Sequence, residues 1–322
     1  MKRITFYILF ALFLGQATAQ STYSNLQRVS SFQELNYPFE TSFAELSNDI
    51  SIAYFDEGNQ SGKEAIIFIH GLGSYAPAWK NNISELSKKY RCIAIDLPGY
   101  GKSSKDDYPV TLSYYAAIVS EFAQSLGIDH YHLAGHSMGA QISMVTALTY
   151  PEQVKSLILV SPAGIETFTE GEKEWFRTAI TAKNVMLTPL DQIEKNIGHN
   201  FYKMPKDARF MISDRYAMTG AGDEFLWYCN VIPKCVSAMV NEPVIRDLPK
   251  IKQPTLIVMG EADQLIPNRY LHGKSTESIA NKGGELIPNS EVLMVKKAGH
   301  FVMFEKPGEV NNYMMTFLEK VN

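Results

Sequence analysis

Cysteine is scarce in this chain of 322 residues: Cys92, Cys229 and Cys235 are all it has, so there is room for one disulfide at most, with one thiol left over. Positive charge is not in excess either. Thirty Lys and Arg face thirty-four Asp and Glu for a net charge of -4, and loss of a leader carrying Lys2 and Arg3 would lower it by two to -6. That balance offers no electrostatic footprint for nucleic acid. Beyond the first residues no apolar run is long enough to span a bilayer, and there is neither an internal repeat nor a low-complexity linker. What remains is an ordinary globular composition, 45% hydrophobic and 20% charged, sufficient for one large core or two modest ones. The expected partner is a small molecule.

Residues 1–19 carry the three zones of a secretory signal peptide: Met1-Lys2-Arg3, an apolar run over 4–14, and Ala17-Thr18-Ala19. Cleavage after Ala19 is expected, giving an exported protein, periplasmic or secreted, with no permanent membrane span. The apolar run falls well short of the roughly twenty residues that cross a bilayer. In that compartment Cys229 and Cys235 are the natural pair, with Pro233 turning the chain between them, against the alternative of two reduced buried thiols. Cys92 lies in the buried-strand pattern Cys92-Ile93-Ala94-Ile95 and reads as a packed thiol. Asn59-Gln60-Ser61 and Asn82-Ile83-Ser84 match glycosylation acceptors, a pattern short enough to arise by chance.

Short β-branched runs at 65–69, 91–95, 131–134, 157–160, 255–259 and 292–295 read as buried parallel strands. Between them 111–126, 138–150 and 307–318 carry apolar residues at helical spacing, and 41–46 with 51–55 reads as an antiparallel hairpin around Ser47-Asn48-Asp49. The pattern predicts an α/β fold with a mostly parallel sheet covered by helices on both faces. The alternation stops after Ser161-Pro162-Ala163-Gly164 and resumes at Pro254. Residues 20–162 and 254–322 thus form a core, and 163–253 a helical lid whose aromatic residues, Trp175, Phe176, Phe201, Tyr202, Phe225 and Tyr228 among them, either line an apolar pocket or pack their own subdomain.

Gly135-His136-Ser137-Met138-Gly139 follows the strand 131–134 and opens the helix 138–150, the strand-turn-helix context that a nucleophilic serine elbow requires. A serine hydroxyl is a poor nucleophile at neutral pH, so a histidine must take its proton and an acid must orient that histidine. His300, after the strand 292–295, and Asp263, after 255–259, supply both in the order Ser137, Asp263, His300; Glu261 is the fallback acid. Attack on a carbonyl creates an oxyanion, for which the backbone N–H of Met138 and one from His70-Gly71-Leu72-Gly73 are the candidate donors, Leu72 first and Gly71 close behind. His70 is read as orienting this loop.

Two other motifs lead elsewhere. Gly99-Tyr100-Gly101-Lys102-Ser103 ends like a phosphate-binding loop but has Asp96 where that signature needs glycine. Gly71-Leu72-Gly73-Ser74-Tyr75-Ala76, with Asp96 downstream, mimics a dinucleotide fingerprint, but leaves the elbow, Asp263 and His300 unexplained. A non-catalytic binding module is the remaining alternative, weakened because each catalytic position is intact.

Together these segments resemble the α/β-hydrolase superfamily over nearly the whole mature chain: His70-Gly71-Leu72-Gly73, Asp96-Leu97-Pro98-Gly99-Tyr100-Gly101-Lys102-Ser103, the elbow, Gly260-Glu261-Ala262-Asp263 and Gly299-His300. The resemblance implies the α/β-hydrolase fold with the lid inserted before the acid-bearing strand, Asp96 as a structural residue, and no metal or organic cofactor. Val160-Ser161-Pro162-Ala163-Gly164 and Leu187-Thr188-Pro189 look like the monoacylglycerol-lipase-like members, which implies hydrolysis of a carboxylic ester with an apolar acyl group. A serine at position 137 argues against the epoxide hydrolases and dehalogenases of that superfamily, which use aspartate. Carbon-carbon bond hydrolases, perhydrolases, thioesterases and acyltransferases keep the serine and stay open.

Overall fold

A computed structural model describes residues 26–58 and 62–321. Residues 1–19, read above as a signal peptide, and Asn59-Gln60-Ser61 lie outside the described residues. Among the described residues eight strands form one sheet: β1 (Ser42–Glu45), β2 (Ser51–Glu57), β3 (Ala65–Ile69), β4 (Arg91–Ile95), β5 (Tyr131–His136), β6 (Val154–Val160), β7 (Thr255–Gly260) and β8 (Ser290–Val295), in the order β1-β2-β4-β3-β5-β6-β7-β8. β1 and β2 are the antiparallel hairpin, and from β4 onward the pairings are parallel.

Alternation along each strand builds two cores. On β3 and β4, Ile67, Ile69, Ile93 and Ile95 face one side and Ile66, Phe68, Cys92 and Ala94 the other. The first layer is covered by α2 (Leu112–Ser125) and α3 (Met138–Thr149), the second by α1 (Lys80–Leu86) and α11 (Pro307–Val321). This two-faced burial explains why the central strands read as unbroken apolar runs. β8 departs from that expectation. Among the described residues it is an edge strand with no neighbour beyond it, and Val292 is 37% exposed.

Between β6 and β7 the chain leaves the sheet for a helical insertion: α4 (Glu170–Ala179), α5 (Ala182–Met186), α6 (Leu190–Gly198), α7 (Phe210–Ala217) and α8 (Gly222–Asn241). Thr169 caps α4 through a reciprocal pair with Glu172, its hydroxyl accepting the Glu172 N–H while the Glu172 carboxylate accepts the Thr169 N–H. After β7 come α9 (Thr276–Leu286) and α10 (Val302–Glu305).

The expected Cys229–Cys235 bridge is corrected. All three thiols are free and buried, and Pro233 sits inside α8 instead of turning the chain. Six residues along a helix rise about 9 Å, beyond the roughly 7 Å between Cα atoms that a disulfide tolerates. Burial pushes the Cys229 and Cys235 thiols up to about 11 and Cys92 higher still, and Cys235 Sγ accepts the Tyr100 hydroxyl at 3.1 Å. Asn82 is also fully buried, its amide donating to Asn311 Oδ1 at 2.6 Å, which removes it as a surface glycan acceptor. Titrated with a chromogenic disulfide in denaturant and without reductant, the protein should yield three thiols, and close to none when native. A yield of one in denaturant would restore the bridge.

Candidate active site

Strand register brings the chosen residues to one edge of the sheet. Ile69 pairs with Gly135 and His136 with Val160, so the loops that follow β3, β5 and β6 emerge side by side. Gly260 pairs with Val295, which sets the loops carrying Asp263 and His300 next to each other. The carboxyl ends of parallel strands are where such folds gather their ligands.

Ser137 stands between β5 and α3 with φ 55° and ψ −115°, a conformation that costs a non-glycine residue on the order of 1–3 kcal/mol. Its surroundings hold it there. The Ser137 N–H donates to the Val160 carbonyl at 2.9 Å, and its carbonyl accepts the N–H groups of Ala140 at 3.0 Å and Ala163 at 3.2 Å. Space is equally restrictive, since a Cβ on Gly135 would overlap the Gly139 carbonyl and one on Gly139 would overlap that of Ile69. Both flanking glycines are therefore steric requirements of the strand-to-helix turn.

His300 Nδ1 lies 2.8 Å from Asp263 Oδ2, both side chains buried. The other oxygen, Oδ1, accepts the N–H groups of Leu265 at 2.8 Å and Ile266 at 3.1 Å, so the carboxylate is fixed in plane and position. Glu261, the fallback acid, is exposed and has no bond to the imidazole. The His300 carbonyl is clamped as well: it accepts from His136 Nε2 at 3.0 Å and from the Ser161 hydroxyl at 2.9 Å. Burial, reinforced by the neighbouring His300, drives the His136 pKa well below its ordinary value, so His136 stays neutral and serves as a donor to that carbonyl.

Ser137, His300 and Leu72 line a cavity of about 270 Å³ whose other walls include Phe168, Phe176 and Val236 of the insertion. Among the described residues no hydrogen bond joins the Ser137 hydroxyl to His300, and neither the Leu72 nor the Met138 N–H has an acceptor. Met138 opens α3, where the first amides of a helix lack intrahelical partners. Two unengaged donors thus flank the serine. The Leu72 loop is tied down by His70, whose Nδ1 donates to the Gly71 carbonyl at 2.8 Å while Nε2 accepts the Leu97 N–H at 3.1 Å. Burial lowers the His70 pKa and favours this neutral tautomer. Asp96 Oδ1 accepts the Ala76 N–H at 2.7 Å, and Oδ2 accepts the Lys102 N–H at 2.8 Å and the Tyr37 hydroxyl at 2.6 Å, bracing the neighbouring loops.

The phosphate-loop motif falls away on geometry. Gly99 to Ser103 turns around Asp96, with the Ser103 hydroxyl donating to the Asp96 carbonyl at 2.6 Å, and a buried carboxylate at that place repels phosphate. A larger surface groove of about 720 Å³ runs between α1 and α11, past Asn81, Glu85, Asn311 and Glu319, and holds none of the residues above. Among the described residues no cluster of three or more His, Cys, Asp or Glu is arranged to hold a metal ion.

Sequence inspection missed Glu305, on α10. Its Oε2 accepts the N–H groups of Gly299 at 2.9 Å and Tyr202 at 3.0 Å, and its Oε1 accepts that of Lys203 at 2.6 Å. One carboxylate therefore joins the loop of His300 to the insertion. The contact is close: the Phe301 N–H donates to the Asn200 carbonyl at 3.1 Å, and a Cβ on Gly299 would overlap backbone atoms of residues 200–202. No local pattern announces such a residue, since its three donors come from two distant segments.

Glu305→Ala should strip the Gly299, Tyr202 and Lys203 amides of their acceptor, costing about 2–3 kcal/mol of unfolding free energy. Hydrogen exchange should show those three amides losing protection together while the β3 and β5 amides keep theirs. Unchanged protection at Tyr202 and Lys203 would contradict the tie.

Comparison with known proteins places this architecture. A family model described as the alpha/beta hydrolase fold matches residues 64–191. Lipase 3 of Moraxella sp. (strain TA144) is 28% identical over 98% of this chain and 98% of its own length. Monoacylglycerol lipase ABHD6 of Homo sapiens is 26% identical over 85% of this chain and 81% of its own. A crystal structure of a bacterial membrane phospholipase A superposes with a TM-score of 0.73 at 25% identity, covering 100% of this chain and 99% of the other. With an eight-stranded, mostly parallel sheet, a family model spanning the elbow and a lipase aligned along almost its full length, the chain has the α/β-hydrolase fold and is a hydrolase.

Proposed function

We propose that the protein hydrolyses carboxylic esters as a carboxylesterase or monoacylglycerol-lipase-like enzyme, through an acyl-enzyme on Ser137. The observation that carries this is a strained serine and an Asp263-oriented imidazole opening into one apolar cavity. Lipases among its relatives, aligned over most of their lengths, support an ester as the bond cleaved.

In this mechanism the acyl chain lies among Phe168, Phe176 and Val236, beneath a lid formed by residues 163–253. Ser137 Oγ attacks the ester carbonyl and His300 Nε2 takes its proton, while Asp263 accepts Nδ1–H and stabilises the imidazolium. The Leu72 and Met138 N–H groups hold the oxyanion. His300 then protonates the departing alcohol and afterwards activates the water that frees the acid. A hydrogen bond between Ser137 and His300 that forms only with substrate is in keeping with hydrolases whose catalytic contacts tighten on binding. Placing this enzyme outside the cytoplasm, after cleavage at Ala19, belongs to the same proposal.

Ser137→Ala should lower kcat on a chromogenic short-chain ester by on the order of 10⁶ with folding intact, and Asp263→Asn by about 10⁴. A fluorophosphonate should label wild type at Ser137 and leave Ser137→Ala unlabelled. Full activity in Ser137→Ala refutes the assignment. Faster turnover of thioester or carbon-carbon substrates than of any ester in a matched panel would move the activity to another serine-dependent reaction.

A further inference from the structure

A second chamber of about 310 Å³ adjoins the first, sharing Leu72, Asn200 and Phe301 with the cavity that holds Ser137. Arg215, projecting from α7, lines it. The mechanism above makes no use of this residue. Its Nη2 donates to the Val185 carbonyl at 3.1 Å, whereas Nη1 is buried without an acceptor. Among the described residues no carboxylate forms an ion pair with it. Asp214, next to it in sequence, points elsewhere and accepts the Tyr75 hydroxyl at 2.7 Å, as expected of consecutive residues on a helix.

What surrounds the guanidinium is aromatic. Its central carbon lies 5.0 Å from the ring centres of both Phe225 and Tyr228, and the Tyr228 hydroxyl, which donates to the Gly73 carbonyl at 3.3 Å, is also within hydrogen-bonding reach of the guanidinium. Ring faces compensate a cation only in part. A guanidinium presents five donors in a planar fork suited to carboxylate or phosphate oxygens, and here the buried Nη1 has no such oxygen. The same wall is otherwise largely apolar, with Ile193, Met211, Met218 and Ile232. A low-polarity surround strengthens the attraction for an anion that enters.

We propose that this chamber is a subsite for an anionic group, a phosphate or a carboxylate, borne by the alcohol part of the ester, with Arg215 as its ligand. The proposal rests on the assignment of Ser137 as an ester-cleaving nucleophile: the acyl chain fills the first cavity, and the alcohol extends past Leu72 and Phe301 into the second. It names a substrate class, esters of apolar acids with negatively charged alcohols, where the first cavity alone specifies only the acid.

The test uses butyrate esters matched in size and differing in charge: 4-hydroxybenzoate against 4-hydroxybenzamide, and glycerol 3-phosphate against glycerol. In wild type, kcat/KM for the charged member should exceed that for its neutral partner by about tenfold or more. The benzoate and phosphate arms separate the two kinds of anion. Arg215→Met should bring the ratio close to one, and Arg215→Lys should retain part of it. A wild-type ratio near one in both arms, or a ratio unchanged in Arg215→Met, overturns the subsite. Binding of phenyl phosphate to Ser137→Ala by calorimetry, with and without Arg215→Met, needs no turnover. Binding that depends on Arg215 in a protein hydrolysing no ester would keep the subsite and reject the nucleophile; ester hydrolysis with no charge preference and no phenyl phosphate binding would do the reverse. Should Arg215→Met fail to fold by circular dichroism, Arg215→Lys and phenyl phosphate binding to the otherwise native chain decide.

Discussion

The bond from the Ser137 N–H to the carbonyl of Val160 is the constraint on which the site depends. It fastens the end of β5 to the end of β6 at the moment the chain reverses into α3, and it holds Ser137 in a backbone state that an isolated peptide would leave. The other requirements follow from it. Gly135 and Gly139 must lack side chains for α3 to pass so close to β3 and β5, and the next residue of β6's exit, Ser161, is brought to the His300 carbonyl. Strain at one residue is thereby distributed over a sheet with two packed faces, which is rigid enough to sustain it.

Asp263 and His300 are held by a different set of bonds. Asp263 receives two backbone N–H bonds on one oxygen and the imidazole on the other, while His300 is held by its carbonyl as well as by its ring. His136, inside the elbow itself, contributes to that second hold and is kept neutral by burial. Ser137 and His300 are therefore linked through the backbone even though, among the described residues, no hydrogen bond joins their side chains.

Much of this was legible in the sequence because it is local. The central strands alternate strictly between two cores, so their apolar runs stood out, and the elbow, Asp263 and His300 each directly follow a strand. The edge strand β8 read as buried because its tail, Leu293 to Val295, resembles the central strands, although exposure is decided by the absent neighbour. Pro233 misled more seriously. Proline is a strong local breaker, but α8 accommodates it within twenty residues packed against α4 and α5, and tertiary packing prevailed over local preference. Glu305 and Arg215 were invisible for the opposite reason: their partners lie in distant segments, and neither carries a spacing that a single sequence reveals.

Glu305 gives the lid an uneven mechanical character. Around residues 200–203 the lid is pinned by one carboxylate and a backbone bond to the very loop that carries His300, whereas α4 and α5 bury none of their side chains completely. The lightly buried α4 and α5 are consequently the part of the insertion with the least packing to lose on moving, and the 200–203 segment is the part held fast. A molecule that displaced α4 and α5 would leave the 200–203 segment tied to the loop of His300, so the fit of a ligand and the seating of that imidazole are coupled through Glu305.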